Sequence, residues 1–380
     1  MKKQLLTTSA ILTAVVLAAA SSSALAQKKS SKPSATVNGY IAQGLQLRGG
    51  GDTAAVGDTD GLDAFGDSEI HFNARGALDS GIKLHARVEL ESSSEDGHID
   101  EQWLRIQGSF GQVIIGQEDS IGSLMTTGYV GSWVVGVGQN LCFDKAELVP
   151  APAGFNTGGA TLCVRLDGSD SDDQKISYVT PRFSGFQVGA SYARDLAANA
   201  ADDTVNQDAA AGFIDYVSIA ANFDRKFDNM RVAVAAGYNQ ADKPKGLAAS
   251  KDTNSWLVSG RVDFGGFKIA GGFYQVNDQF NADGTDTTIS DDGSGFDVGV
   301  GYRAGPNSFG LAYFSGDNEG TVATAGDDEV DALWLTYKRD LGPGVSWRNT
   351  LAWVDWDDEG TAAANQNDGY ALSTMMVMVF

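Results

Sequence analysis

The stretch Ile82-Lys83-Leu84-His85-Ala86-Arg87-Val88-Glu89-Leu90-Glu91 decides the fold. Its even-numbered residues are all apolar and its odd-numbered residues all polar or charged. Side chains of an extended chain point alternately to two faces, so this is a strand with one greasy face and one wet face. The flanking sequence repeats the pattern. Ile70, Phe72 and Ala74 alternate with His71, Asn73 and Arg75, and Ile41, Leu45 and Leu47 are out of phase with Tyr40, Gln46 and Arg48. A single such strand also suits a soluble sandwich, so the number of strands and the loops between them matter more.

The same periodicity predicts strands near 36–48, 66–78, 82–94, 99–109, 111–118, 174–180, 185–194, 212–225, 229–241, 252–264, 266–277, 294–303, 307–316, 328–340, 344–357 and 368–380. That is an even number, sixteen. Short connections such as Asp79-Ser80-Gly81, Gly265-Gly266 and Leu341–Pro343 alternate with long ones, the longest at 119–173. The connection at 95–98 is short where a long one is due. Turns at one end and loops at the other describe an all-β, 16-stranded antiparallel transmembrane barrel, closed so that lipid meets no open sheet edge. A propeller would repeat every 40–50 residues or so, and no such repeat is present. Tyr178, Tyr192, Phe223, Tyr238, Tyr302, Trp334, Trp347, Trp353 and Trp356 fall near strand ends, where interfacial girdles are expected.

Composition agrees. The 380 residues carry a net charge of −22, which excludes a general nucleic-acid binder. The 18 Phe, 11 Tyr and 7 Trp exclude a disordered acidic chain. Lys2 and Lys3, the apolar run Leu5–Ala20 and Ala24-Leu25-Ala26 form a signal peptide over 1–26. Residues 27–35 are then an N-terminal periplasmic segment and 36–380 the barrel. The two cysteines, Cys142 and Cys163, suit a possible disulfide in an oxidising compartment, and both fall in the 119–173 connection.

The terminal segment Gly369–Phe380, with Met378, Met376 and Leu372 in phase with Phe380, resembles the closing strand of Gram-negative outer-membrane proteins. That resemblance makes Phe380 the signal read by the barrel-assembly machinery. Trp103-Leu104-Arg105-Ile106-Gln107-Gly108-Ser109-Phe110-Gly111-Gln112-Val113-Ile114-Ile115-Gly116-Gln117 and Ser177–Tyr192 resemble the general bacterial porins. The resemblance implies a homotrimer whose long third loop, here 119–173, folds into the lumen and narrows it. In relatives a longer second loop latches onto the neighbouring subunit, so the short 95–98 connection is a departure from the pattern.

Strand parity places Arg75, Arg87 and Arg105 on the lumen face, five or six residues from the adjacent turns. At about 2.4 Å of height per tilted residue they stand roughly 12–15 Å up, near mid-membrane. Lys83 is inward nearer the turn, and Arg48 nearer the outer rim. Glu118, Asp119, Asp144 and Glu147 of the long loop are candidates to face this basic wall across a constriction, giving a transverse field that filters ions by sign. The expected function is passive diffusion of ions and small hydrophilic solutes, weakly cation-preferring, without catalysis or cofactor.

Other signals are weak. Gly299-Val300-Gly301-Tyr302-Arg303-Ala304 fits a relaxed dinucleotide motif but has no helix after it. His71 and His85 face inward without metal-ligand spacing. Acidic surface loops suit loose Ca2+ or Mg2+ bridging to lipopolysaccharide in the outer-membrane lipid. A barrel hydrolase would need a Ser–His pair on the barrel face, whereas these histidines point to the lumen. A saccharide-specific channel would need an aromatic track down the lumen, whereas most aromatics take the outward phase.

Overall fold

The structure is a computed structural model that describes residues 31–50, 59–91, 99–126, 148–152, 155, 163–166, 173–196, 213–243, 252–277, 292–319, 326–360 and 366–380. Sixteen strands form among these residues. The first five are β1 (Ser31–Gly50), β2 (Gly61–Ala77), β3 (Lys83–Glu91), β4 (Ile99–Gly108) and β5 (Gly111–Gln117). A five-residue helix, α1 (Ile121–Met125), follows. Then come β6 (Gln174–Val179), β7 (Phe186–Asp195), β8 (Ile214–Phe227), β9 (Met230–Asp242), β10 (Thr253–Phe264) and β11 (Phe267–Asn277). The last five are β12 (Gly293–Ala304), β13 (Asn307–Glu319), β14 (Asp327–Gly342), β15 (Val345–Asp357) and β16 (Gln366–Val379).

Each strand pairs with its sequence neighbours, and β1 pairs with β16, so the sheet closes into a barrel. No helix among the described residues is long and apolar enough to cross a membrane. Closure leaves every strand without a free edge over the span they share. At the seam Gly39 and Phe380 exchange two backbone hydrogen bonds of 3.0 Å. The β1–β16 ladder covers Tyr40 to Gly50, and β1 residues before Gly39 pair with β2. That overhang accepts Pro33, which has no N–H to offer a second neighbour. Residues 31–35, expected to precede the barrel, therefore extend β1. The first loop is correspondingly shorter than expected, because Arg48 already pairs with Gly61 across its base.

Alternation sorts the faces. On β14, Leu333 and Leu335 are exposed while Trp334 between them is 1% exposed. On β16, Leu372, Met376 and Met378 are exposed and Ala371, Ser373, Met375 and Val377 are buried. The exposed apolar phase points outward, toward lipid, and the other phase points into the barrel. Turns follow their chemistry. Gly265 and Gly266, at φ +52° and +88°, join β10 to β11 by a two-residue turn whose positive dihedrals match the strand twist.

Two aromatics expected at the interface are elsewhere. Trp334 and Trp356 are wholly buried inside the barrel, whereas Tyr238, Tyr302, Trp347 and Trp353 are exposed on the outer face. Tyr274 and Phe314 are buried in the same internal cluster as the two tryptophans. Part of the inner wall of β10–β16 is therefore apolar, where Leu148, Val149, Phe155, Val164 and Leu166 pack on it.

Candidate functional site

Register across β2, β3 and β4 sets the inward side chains in rows. In one row Arg75 lies opposite His85, and His85 opposite Arg105. The next row toward the loop end holds Asn73, Arg87 and Trp103. Beyond it come His71 opposite Glu89, then Glu69 opposite Glu91. Lys83 sits one row nearer the turns, opposite Gln107. The structure thus gathers Arg75, Arg87 and Arg105 into two adjacent rows. Arg48 is apart from them, at the loop end, 3.7 Å from the exposed Asp63.

Trp103, absent from the residues singled out in the sequence, organises this basic group. The Arg87 and Arg105 guanidinium carbons lie 5.3 and 4.6 Å from its ring centroid. His85 meets the ring edge-on at 4.9 Å. The indole N–H donates to Glu101 Oε2 at 3.0 Å. A ring with negative faces between two guanidiniums offsets their mutual repulsion and fixes their spacing. Its signal in the sequence is slight: Trp103 shares the inward phase with Arg105, two residues on.

The acids lie beside the arginines. Arg105 Nη2 is 3.2 Å from Glu118 Oε2, and Arg87 Nη1 is 3.0 Å from Glu89 Oε2. Glu118 directly follows β5, the strand beside β4, so the pair sits on one wall and does not span the lumen. Lys175 Nζ donates to the Glu118 carbonyl at 2.6 Å. Burial pushes the Glu118 carboxyl up to about 7; Arg105 opposes that rise and Asp119 adds to it. Asp119 pairs instead with Arg165 of its own connection, at 3.4 Å. Cys142, Asp144 and Glu147 lie outside the described residues. Cys163 is disulfide-bonded.

The described pieces of 119–173 attach to inward-facing side chains around the rest of the barrel. Ser120 caps α1, its hydroxyl accepting from the Ser123 N–H. The Ile121 and Gly122 N–H groups, unsatisfied within so short a helix, donate to Ser191 Oγ at 2.9 Å and Ser218 Oγ at 2.8 Å. Asn222 donates to the Met125 carbonyl and Asn239 to that of Leu166. Trp356 Nε1 donates to the Val149 carbonyl at 2.9 Å, and Asn367 to that of Pro150 at 2.6 Å. Leu148, Val149, Phe155, Val164 and Leu166 pack in one cluster with Tyr274, Phe314, Trp334 and Trp356. Full burial is worth about 1.5–3 kcal/mol for each such aliphatic or Phe side chain. Wall glycines make the sockets. A Cβ on Gly189 would come within 2.7 Å of Ile121 Cγ2, and one on Gly237 would overlap Leu166 Cδ1.

Known proteins share this architecture. A family model described as Gram-negative porin matches residues 13–359. An anion-selective porin from Comamonas acidovorans superposes with a TM-score of 0.62 at 17% identity, covering 92% of this chain and 100% of that one. OmpT, an outer membrane protein of Vibrio cholerae, solved in a trimer form, gives 0.60 at 13% identity, covering 92% and 100%. No curated protein sequence matches the chain.

Proposed function

The chain belongs to the Gram-negative porin family, and from that premise we propose a water-filled outer-membrane channel whose ion preference is set by the charged wall of β2–β5. Ions and small hydrophilic solutes cross it by passive diffusion, without chemistry on the solute. The observation that carries the selectivity is the order of charge along that wall. Lys83, Arg75, Arg105 and Arg87 occupy the rows nearer the turns, and Glu89, Glu69 and Glu91 the rows nearer the loops. Charge is stacked along the channel rather than opposed across it.

Cations concentrate at the acid layer, then meet the arginine layer; anions meet the two in the opposite sense. Glu118 and Glu89 partly neutralise Arg105 and Arg87. The acid excess at the loop end therefore leaves a weak cation preference. Reversal potentials in a planar bilayer under a salt gradient test this: a small cation-selective value is expected, and clear anion selectivity would overturn it.

The 119–173 segment narrows the channel from within, a role supported by the hydrogen bonds of α1, Val149, Pro150 and Leu166 to inward side chains. Its closure by a Cys142–Cys163 bridge is consistent with the bonded state of Cys163. Removal of residues 1–26 on export and assembly as a homotrimer complete the proposal. The trimer form of the Vibrio cholerae neighbour is in keeping with the latter.

A further inference from the structure

Beyond the arginine rows, toward the loop end, Glu69, His71 and Glu89 bring three donor atoms together. His71 Nε2 lies 3.0 Å from Glu69 Oε2 and 2.8 Å from Glu89 Oε1. One ligand atom from each of the three residues lies within 4.8 Å of the other two. The remaining polar atom of each group is held by a residue outside the trio. The Tyr40 hydroxyl is shared between Asp67 Oδ2 at 2.6 Å and Glu69 Oε1 at 3.0 Å, and Arg87 donates to Glu89 Oε2 at 3.0 Å. Asn38 Nδ2 faces His71 Nδ1 at 3.4 Å. Three atoms converge while outer partners fix the direction of each, which is how proteins build a coordination shell.

We propose that Glu69, His71 and Glu89 form a binding site, in the inner wall of the barrel, for a divalent transition-metal ion of the Zn2+ kind. One imidazole nitrogen and two carboxylate oxygens suit such an ion. Ca2+ asks for six to eight oxygens, and Mg2+ for an octahedron of them. Ligand atoms about 2.0–2.1 Å from a tetrahedral Zn2+ stand roughly 3.3 Å apart. The His–carboxylate distances need open only by a few tenths of an ångström. The Glu69 side chain is 23% exposed, that of His71 14% and that of Glu89 8%, so water reaches the trio most readily on the Glu69 side. Two carboxylates and a neutral imidazole cancel the charge of the ion, replacing the imidazole N–H that otherwise separates the like-charged glutamates.

The outer partners tolerate the change of tautomer that a metal on Nε2 requires. Asn73 Nδ2 donates to Asn38 Oδ1 at 2.6 Å, and His85 Nε2 lies 2.8 Å from Asn73 Oδ1. Amide oxygen and nitrogen exchange places when Asn38 and Asn73 flip. The chain then runs the other way, with His71 Nδ1–H donating to Asn38, Asn38 to Asn73 and Asn73 to His85. Each link keeps a donor and an acceptor.

Equilibrium dialysis of the folded, detergent-solubilised protein against Zn2+ tests the site. One Zn2+ per chain is expected, retained in a large excess of Ca2+. The affinity should fall about 10- to 100-fold in Asn38→Ala, as for outer-shell partners elsewhere, and further in His71→Asn and Glu69→Gln. Absence of Zn2+ binding, equal displacement by Ca2+, or unchanged affinity in both His71→Asn and Glu69→Gln would overturn the proposal. Heat-dependent gel mobility confirms that each variant keeps its barrel, and either ligand variant suffices if the other fails to fold. In planar bilayers, Zn2+ removes two negative charges from the acid layer, so selectivity should move toward anions in the native protein and stay fixed in His71→Asn. That arm rests on the channel function; the dialysis does not, so the two failures are distinguishable.

Discussion

The two inner walls of the barrel obey opposite rules. On β2–β4 the inward phase is Arg75, His85, Arg87, Trp103, Arg105 and the glutamates, with Arg87 paired to Glu89 and the Arg87 and Arg105 guanidiniums against Trp103. On β10–β16 the inward phase includes Leu257, Tyr274, Phe314, Trp334, Val354 and Trp356, all buried in one apolar cluster. The outward phase of those strands is mostly apolar, whereas the inward phase mixes this apolar cluster with buried polar residues such as Arg261, Asp297, Asn318 and Thr350. A barrel interior is therefore not wet by default. It is polar along β2–β4 and core-like where Leu148, Val149, Phe155, Val164 and Leu166 pack.

Breaking the apolar wall should have the largest effect. Trp356→Ala removes the edge-to-face contact with Phe155 at 4.8 Å and the hydrogen bond to Val149. Losses of about 3–5 kcal/mol are usual for a buried Trp, and here they fall on the attachment of the inner segment. Single-channel recordings should show higher, noisier conductance while the barrel keeps its heat-dependent gel mobility.

A pH change should act on the charged wall alone. Glu118, held near 7 by burial, is ionised at pH 8 and offsets Arg105; at pH 6 it is mostly neutral and Arg105 is unopposed. Cation preference should therefore weaken as pH falls through about 7, and Glu118→Gln should resemble the low-pH state throughout. Reversal potentials at the two pH values check it. At the small end, Arg48→Ala removes only a 3.7 Å pair to the exposed Asp63, and surface pairs contribute about 0–1 kcal/mol. Thermal stability and selectivity should scarcely move.

These contrasts also explain what was legible in the sequence. Ile82–Glu91 announced its strand because one face meets lipid and the other water, and Gly265-Gly266 announced its turn because only glycine enters those dihedrals cheaply. Trp334 passed for an interfacial residue because Ala332, Leu333 and Leu335 around it are apolar on both phases, and Trp356 because it stands at a strand end. The position of the arginines followed from parity. Glu118 was also a candidate partner, but expected across the lumen, whereas its place beside Arg105, like that of Trp103 beside Arg87, depends on cross-strand register and on where β5 ends. Glu69, His71 and Glu89 likewise lie on two strands, with no metal-ligand spacing along the chain.

The most direct test is the reversal potential of the Arg87→Gln/Arg105→Gln double variant in a KCl gradient, set against the native channel. Removing two positive charges from the rows beside Trp103 should strengthen cation preference several-fold. An unchanged reversal potential, with the barrel intact, would contradict control of selectivity by this wall.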